Sequence, residues 1–198
     1  QESVDLALFV FTEQKLVNVL GKRHQQGVKV RALIDRSFAF RFYSEGLDML
    51  GVFLPNKCRV ELDNRPWKKP ITTVGIPNLI RGDKLHHKFG IVGQDTVITG
   101  SHNWSSSANY KNDETLLVIN SPIVTAHFKR EFERLYSEAR LGLPKSVEKK
   151  IQKARDECPR IIRRFSSASE VNGYFINLNT ASPEELETLP GIGKKLVQ

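Results

Sequence analysis

The run LHHKFGIV places two histidines beside a lysine, and a dozen residues later comes TGSHNWSSSANYKNDE. On a strand, side chains alternate between faces, so His86 and Lys88 point one way and His87 the other. The same rule pairs Ser101 with Asn103 and sends His102 to the opposite side. An imidazole, an ammonium, a hydroxyl and a carboxamide converging on one point suit a phosphoryl group. One of them can attack phosphorus, and three can donate to its non-bridging oxygens. No carboxylate cluster with divalent-metal spacing accompanies them, so no metal or other cofactor is expected.

Positioning those groups requires a scaffold, and the flanking sequence describes one. VDLALFVF is apolar at nearly every position, as in a strand covered on both faces. Leu16, Val17, Val19 and Leu20 then repeat with helical spacing up to Gly27, and VKVRALID reads as a second buried strand. Strand, helix, strand with short joints is the signature of a parallel crossover. A helix over 38–50 and a strand over 59–62 continue the pattern. LHHKFGIV and TVITGS read as two strands joined at GQD, ETLLVI as another, and SPIVTAHFKREFERLYSEAR as a helix capped by Ser121 with Pro122 first. The expected fold class is therefore α/β, a mixed β-sheet flanked by helices, with a small α-helical hairpin module at the C-terminal end.

Residues 63–83 are rich in proline, glycine and basic residues, and form a long connection for a domain interior. Within it Arg65, Trp67, Lys68 and Lys69 suit contact with a nucleic-acid backbone and its bases. The expected domains are a catalytic domain over 1–143, a charged, partly helical linker over 144–174, and a separate module over 175–198. Thirty Lys and Arg against 22 Asp and Glu give a net charge of +8, which favours a polyanionic partner. The two cysteines lie a hundred positions apart without metal-site spacing, and are expected as reduced thiols. No apolar run approaches bilayer length, so stable membrane insertion is not expected. The default location is cytoplasmic, with the proviso that a preceding segment could carry an export signal.

Taken together, HHKFGIVGQDTVITGSHNWSSSANYKNDE resembles the phospholipase D superfamily, and within it the bacterial single-motif nuclease branch. His86, Lys88, Gly100, Ser101 and Asn103 stand in register with the superfamily signature. The resemblance spans roughly residues 3–140. It implies metal-free phosphodiester cleavage through a phosphohistidine at His86, with Lys88, Ser101 and Asn103 holding the phosphate oxygens. Glu114 would orient a histidine ring by accepting its other N–H. One position departs: the superfamily's Asp is Gly93 here, with the nearest carboxylate at Asp95, a change that bears on positioning more than on chemistry.

The superfamily builds one site from two copies of the motif, and this chain carries one. Either two chains pair as a homodimer, the favoured arrangement, or an absent N-terminal half supplies the second copy. The segment INLNTASPEELETLPGIGKKL resembles a helix-hairpin-helix DNA-binding module, truncated in its second helix. There Gly191 and Gly193 would let backbone N–H groups approach a phosphate, with Lys194 and Lys195 adding charge. The expected function is a nuclease acting on DNA, or on RNA. The alternatives are a phospholipase D acting on glycerophospholipids, and a catalytically impaired DNA-binding or tethering protein.

Overall fold

In the computed structural model, which describes residues 2–61 and 63–158, the opening apolar run forms β1 (Ser3–Leu8), buried from Asp5 onward. Its alternation explains the unbroken hydrophobicity. Leu6 and Leu8 enter one core with Phe11, Val17, Val30, Ala32 and Ile34, while Ala7 enters a second with Leu33, Phe89, Ile91 and Phe132. A strand buried on both faces has no side on which polar residues are favoured.

After the two-residue β2 (Phe11–Thr12), α1 (Gln14–Gln25) crosses back to β3 (Lys29–Ile34), which pairs with β1 in parallel, Leu8 beside Ile34. The expected crossover is present. The expected helix over 38–50 is shorter: only α2 (Glu45–Met49) is helical. The Asp35 carboxylate accepts the Ser37 N–H at 2.8 Å and starts a series of turns, and the Ser44 side chain then caps the short helix.

No strand forms at 59–61. Arg59 makes one antiparallel bridge to Asn56 around a tight turn in which Lys57 and Cys58 both have positive φ, 50° and 54°. Cys58 is bonded to Cys158 in a disulfide, correcting the expectation of two reduced thiols. The turn and the end of a later helix meet only in the folded chain, so sequence spacing carries no sign of the pairing.

The stretch read as one long loop contains β4 (Val74–Ile76), which pairs in parallel with β3. Next come β5 (Lys88–Val92), β6 (Thr96–Gly100), β7 (Trp104–Ser105) with α3 (Ser106–Tyr110), and β8 (Leu116–Asn120). They are followed by α4 (Pro122–Tyr136), β9 (Arg140–Leu141) and α5 (Lys145–Glu157). The main sheet runs β8-β6-β5-β1-β3-β4-β9, and β2 pairs with β7 apart from it. This is the mixed sheet flanked by helices that the sequence predicts.

On one face α4 inserts Phe132 and Leu135. It is also anchored by charge, since buried Asp5 receives Arg31 Nε at 2.6 Å and Lys129 Nζ, and Arg31 reaches on to Glu133 at 2.6 Å. Removing one partner of such a buried carboxylate costs about 3–5 kcal/mol. On the other face, Val147 and Ile151 of α5 are buried with Leu47. The first half of the stretch expected as a linker is thus helical and packed on this body, which extends through Cys158. The module expected over 175–198, including Gly191, Gly193, Lys194 and Lys195, lies outside the described residues.

Candidate active site

β1 and β3 run in parallel and β5 runs against β1 with Leu8 beside Lys88, so the start of β5 meets the C-terminal ends of the parallel strands. That edge is where open α/β sheets gather ligand-binding groups. His86 lies just beyond it. Lys88 Nζ stands 3.3 Å from His86 Nε2 and 3.0 Å from the His86 carbonyl, so the two expected partners share a face. His87 turns the other way, its Nε2 3.0 Å from Glu131 Oε1 on α4.

Lys88 is buried, and desolvation lowers its pKa, with Glu114 opposing the shift. An ammonium held in that setting is poorly hydrated and ready to exchange water for phosphate oxygens. Phe9, the first residue past β1, supplies much of the apolar wall. Its ring lies 4.5 Å from the His86 ring and 4.8 Å from Phe38, and Lys88 Nζ sits 5.2 Å from its centroid. Sequence reasoning missed Phe9. Its signal is an aromatic directly after the C-terminal end of a buried parallel strand. Asp35, at the end of β3, was also missed; its carboxylate accepts the Leu85 N–H at 2.9 Å, one residue before His86.

The β5–β6 register, Gly90 beside Ile98, sets Lys88 beside Gly100 when carried two residues on, which brings Ser101 to the same end of the sheet. Gly100 has φ of 151°, and a Cβ there would collide with the Thr115 carbonyl that accepts the Ser101 N–H. Ser101 Oγ donates to Glu114 Oε2 at 2.5 Å and accepts from the Thr115 N–H at 3.0 Å. The hydrogen bonds from Ser101 and from Asn112 hold the Glu114 carboxyl below the usual carboxylate range. Among the described residues Glu114 thus braces Ser101 and accepts from Asn112, and makes no hydrogen bond to a histidine ring of this chain. The Asn103 Oδ1 is buried without a hydrogen-bond partner, and since that oxygen only accepts, any contact to a phosphate oxygen would come from the Nδ2 end of the same carboxamide.

Gly93 occupies the turn after β5, at the opposite end of that strand from Lys88, about 16 Å away at strand rise. Its φ is 64° and its N–H donates to the Ser3 carbonyl at 2.9 Å. Gly and Asp both tolerate this left-handed region better than most residues, so the departure is conservative for the turn.

The basic segment is not gathered into this cluster. Trp67, expected to meet bases, is buried: it stacks on His24 at 5.6 Å, lies against Gly21, and its backbone N–H donates to the Asp48 carbonyl at 2.8 Å. Its apolar area is spent closing the chain onto α1 and α2, which corrects the base-stacking role. The Arg65 N–H donates to Asp48 Oδ2 at 2.9 Å and its guanidinium to the Asn64 carbonyl at 2.7 Å, while Lys68 and Lys69 are exposed.

Residues 1–136 match the family described as cardiolipin synthase, PLD-like domain. The chain belongs to the phospholipase D-like family. Residues 175–198 match the helix-hairpin-helix motif. Among curated proteins, the mitochondrial cardiolipin hydrolase of Homo sapiens is 29% identical over 136 residues, 69% of this chain and 46% of that protein. That of Xenopus tropicalis is 28% identical over 142 residues, 70% of this chain and 56% of that protein. The chain thus spans about half the length of the curated relatives it matches. In fold, it is similar to NucT from Helicobacter pylori, with a TM-score of 0.56 at 21% identity over 71% of this chain and 82% of that one. Nuc from Salmonella typhimurium gives 0.53 at 22% identity, over 72% and 82%.

The superfamily and the fold accord with the sequence reading. The cytoplasmic location does not. It rested on finding no targeting pattern, and the matched relatives named mitochondrial overturn it. Among the described residues no helix is long and apolar enough to cross a membrane.

Proposed function

We propose that this domain is a nuclease that cleaves a phosphodiester of DNA or RNA through a covalent intermediate on His86. The observation that carries the reading is the His86–Lys88 pair on one face at the sheet edge, with Ser101 carried to the same end. A ring nitrogen of His86 attacks phosphorus, the P–O bond to the leaving group breaks, and water later cleaves the P–N bond to restore the imidazole. Lys88, Asn103 and Ser101 stabilise the added negative charge on the non-bridging oxygens.

The leaving oxygen needs a proton, and a second copy of the chain supplies it from its own His86. Support for a homodimer comes from β8, which follows directly on Glu114 and Thr115. At the sheet's outer edge it exposes Leu116, Leu117 and Val118, with Ile123 beyond. An apolar strand edge of this kind is the sort of surface a partner covers. The position of Gly93, one strand length from Lys88, supports an intact site over a disabled one.

Nucleic acid is favoured by the net charge and by the helix-hairpin-helix match. A second reading, hydrolysis of a cardiolipin-like phospholipid, is favoured by the names of the curated relatives and uses the same covalent route. The test incubates the protein with plasmid, single-stranded DNA, RNA and cardiolipin vesicles, with EDTA throughout and His86→Ala as control. Nucleic acid should be cut and the vesicles left intact. Release of phosphatidic acid with nucleic acid untouched replaces the first reading with the second.

A further inference from the structure

We infer that a cationic groove beyond the catalytic cluster holds a single-stranded polynucleotide. It lies between residues 36–42, the turn at 54–59 and α5. The inference rests on the nuclease reading for its substrate class and adds the strand state and the surface that recognises it.

Six cations line two adjoining hollows: Arg36, Arg41, Lys150 and Lys153 in one, Lys57 and Arg59 in the other. Only Glu157 and Glu61 oppose them, one in each. Phe42 and Asn56 belong to both hollows, so the two form one groove. Its lining includes Phe40 and Phe42, half-buried rings, Phe40 packed on the Leu47 cluster and Phe42 edge-on to Tyr43 at 5.0 Å. Cations for the backbone beside aromatic faces for unpaired bases are the two requirements of single-strand binding. A duplex keeps its bases stacked inside and offers no unpaired base to these rings. A bilayer calls for protruding apolar residues, and these rings are half-buried.

The groove is tied to the chemistry at one end and held rigid at the other. Arg36 follows Asp35, whose carboxylate holds the Leu85 N–H beside His86, and Phe38 of the same segment packs on Phe9. At the far side, the Cys58–Cys158 disulfide fixes the 54–59 turn to the end of α5. Since α5 lies beyond the residues matched by the phospholipase D-like family, this wall is an addition to the shared catalytic domain.

The test uses the full chain carrying His86→Ala, so that substrate is bound and not cut. Fluorescence anisotropy measures affinity for oligo-dT and oligo-rU of about 12 nucleotides, and for a duplex of equal length. The combined change Arg36→Glu, Lys150→Glu and Lys153→Glu should weaken single-strand binding at least tenfold. It should also flatten the log-log salt dependence by about 2, three contacts at roughly 0.7 each. Phe42→Ala, a milder change, should weaken it by roughly tenfold with the salt slope unaltered. Duplex affinity should move less than threefold in both. Melting temperatures close to the parent's establish folding, and Phe42→Ala decides the matter if the triple variant does not fold.

Unchanged single-strand affinity, or an equal loss for duplex, overturns the inference. So does a loss confined to vesicles of phosphatidylcholine with cardiolipin. If the groove variants lose single-strand binding while the unmodified chain cuts no nucleic acid, the groove stands and the nuclease reading falls.

Discussion

Ser101 donates a 2.5 Å hydrogen bond to Glu114, and that bond ties the turn after β6 to the start of β8. Glu114 also opposes the desolvation that lowers the Lys88 pKa. Replacing it with Gln keeps an acceptor for Ser101 but removes the charge, so Lys88 loses its proton at lower pH. The alkaline limb of kcat/KM for bis(p-nitrophenyl) phosphate should move to lower pH in Glu114→Gln. A limb that stays in place means the charge does not reach Lys88.

Phe9 should act in the opposite sense. Its ring covers one side of Lys88 and His86, so Phe9→Leu admits water, relieves desolvation and lets the lysine pKa rise. The alkaline limb should shift upward, and kcat should fall roughly tenfold as the imidazole loses its wall, with KM for the small substrate little changed. Phe9→Tyr should restore most of kcat. A fall in KM and kcat together, with the limb fixed, would make Phe9 a packing residue only.

The two adjacent histidines should differ sharply. His86→Ala should cost at least roughly a thousandfold in turnover. His87→Ala removes a partly exposed contact to Glu131 on the far face, and should leave turnover within about threefold. Similar losses in two folded variants would refute the facing assigned to this pair.

Reducing the Cys58–Cys158 bond should release α5 without disturbing the distant His86 pair. The bond closes a loop of 100 residues, for which chain entropy sets a ceiling of about 5 kcal/mol. Thermal melting should fall by roughly 10 °C in reductant. Cys58→Ser should melt like the reduced protein and keep its turnover of the small substrate. Identical melting with and without reductant would show that the bond contributes nothing to the fold.

Stability should decline with rising pH because of Glu45. Burial, reinforced by Asp48 and other nearby acids, pushes its carboxyl up to about 9. A folded-state pKa above the unfolded one means the native protein holds the proton longer. The associated stability is complete below about 4.5 and is lost as pH rises toward 9. Asp48, raised by burial to about 6, adds to the same trend at lower pH. Glu45→Gln should therefore raise the melting temperature at pH 8 by roughly 5 °C and change little at pH 4. An equal effect at both pH values would argue against a buried proton.

The facing of His86, His87 and Lys88 could be read from sequence because alternation is local: β5 begins only at Lys88, three residues later than LHHKFGIV predicts, but the Phe9 N–H donates to the His87 carbonyl at 2.7 Å and carries the extended pairing back past the histidines. The doubly buried β1 and the capped α4 were readable for similar reasons. What escaped depends on contacts between distant segments. β4 has three residues and no period of its own, and owes its place to β3 and β9 on either side. The 38–50 stretch has helical spacing, yet the Asp35 side chain diverts its first residues into turns. Trp67 among basic residues looks like a base platform until α1 arrives to cover it.

The turn at Gly93 bears on how such proteins are found. An acidic residue written into a search pattern at that point filters for a backbone conformation one strand away from Lys88, and glycine satisfies the same conformation. Screens that insist on the acid discard chains that keep the His86–Lys88 pair and the Ser101 turn. Patterns anchored on His86, Lys88, Ser101 and Asn103, with the turn left open to Gly, Asn or Asp, would retain them.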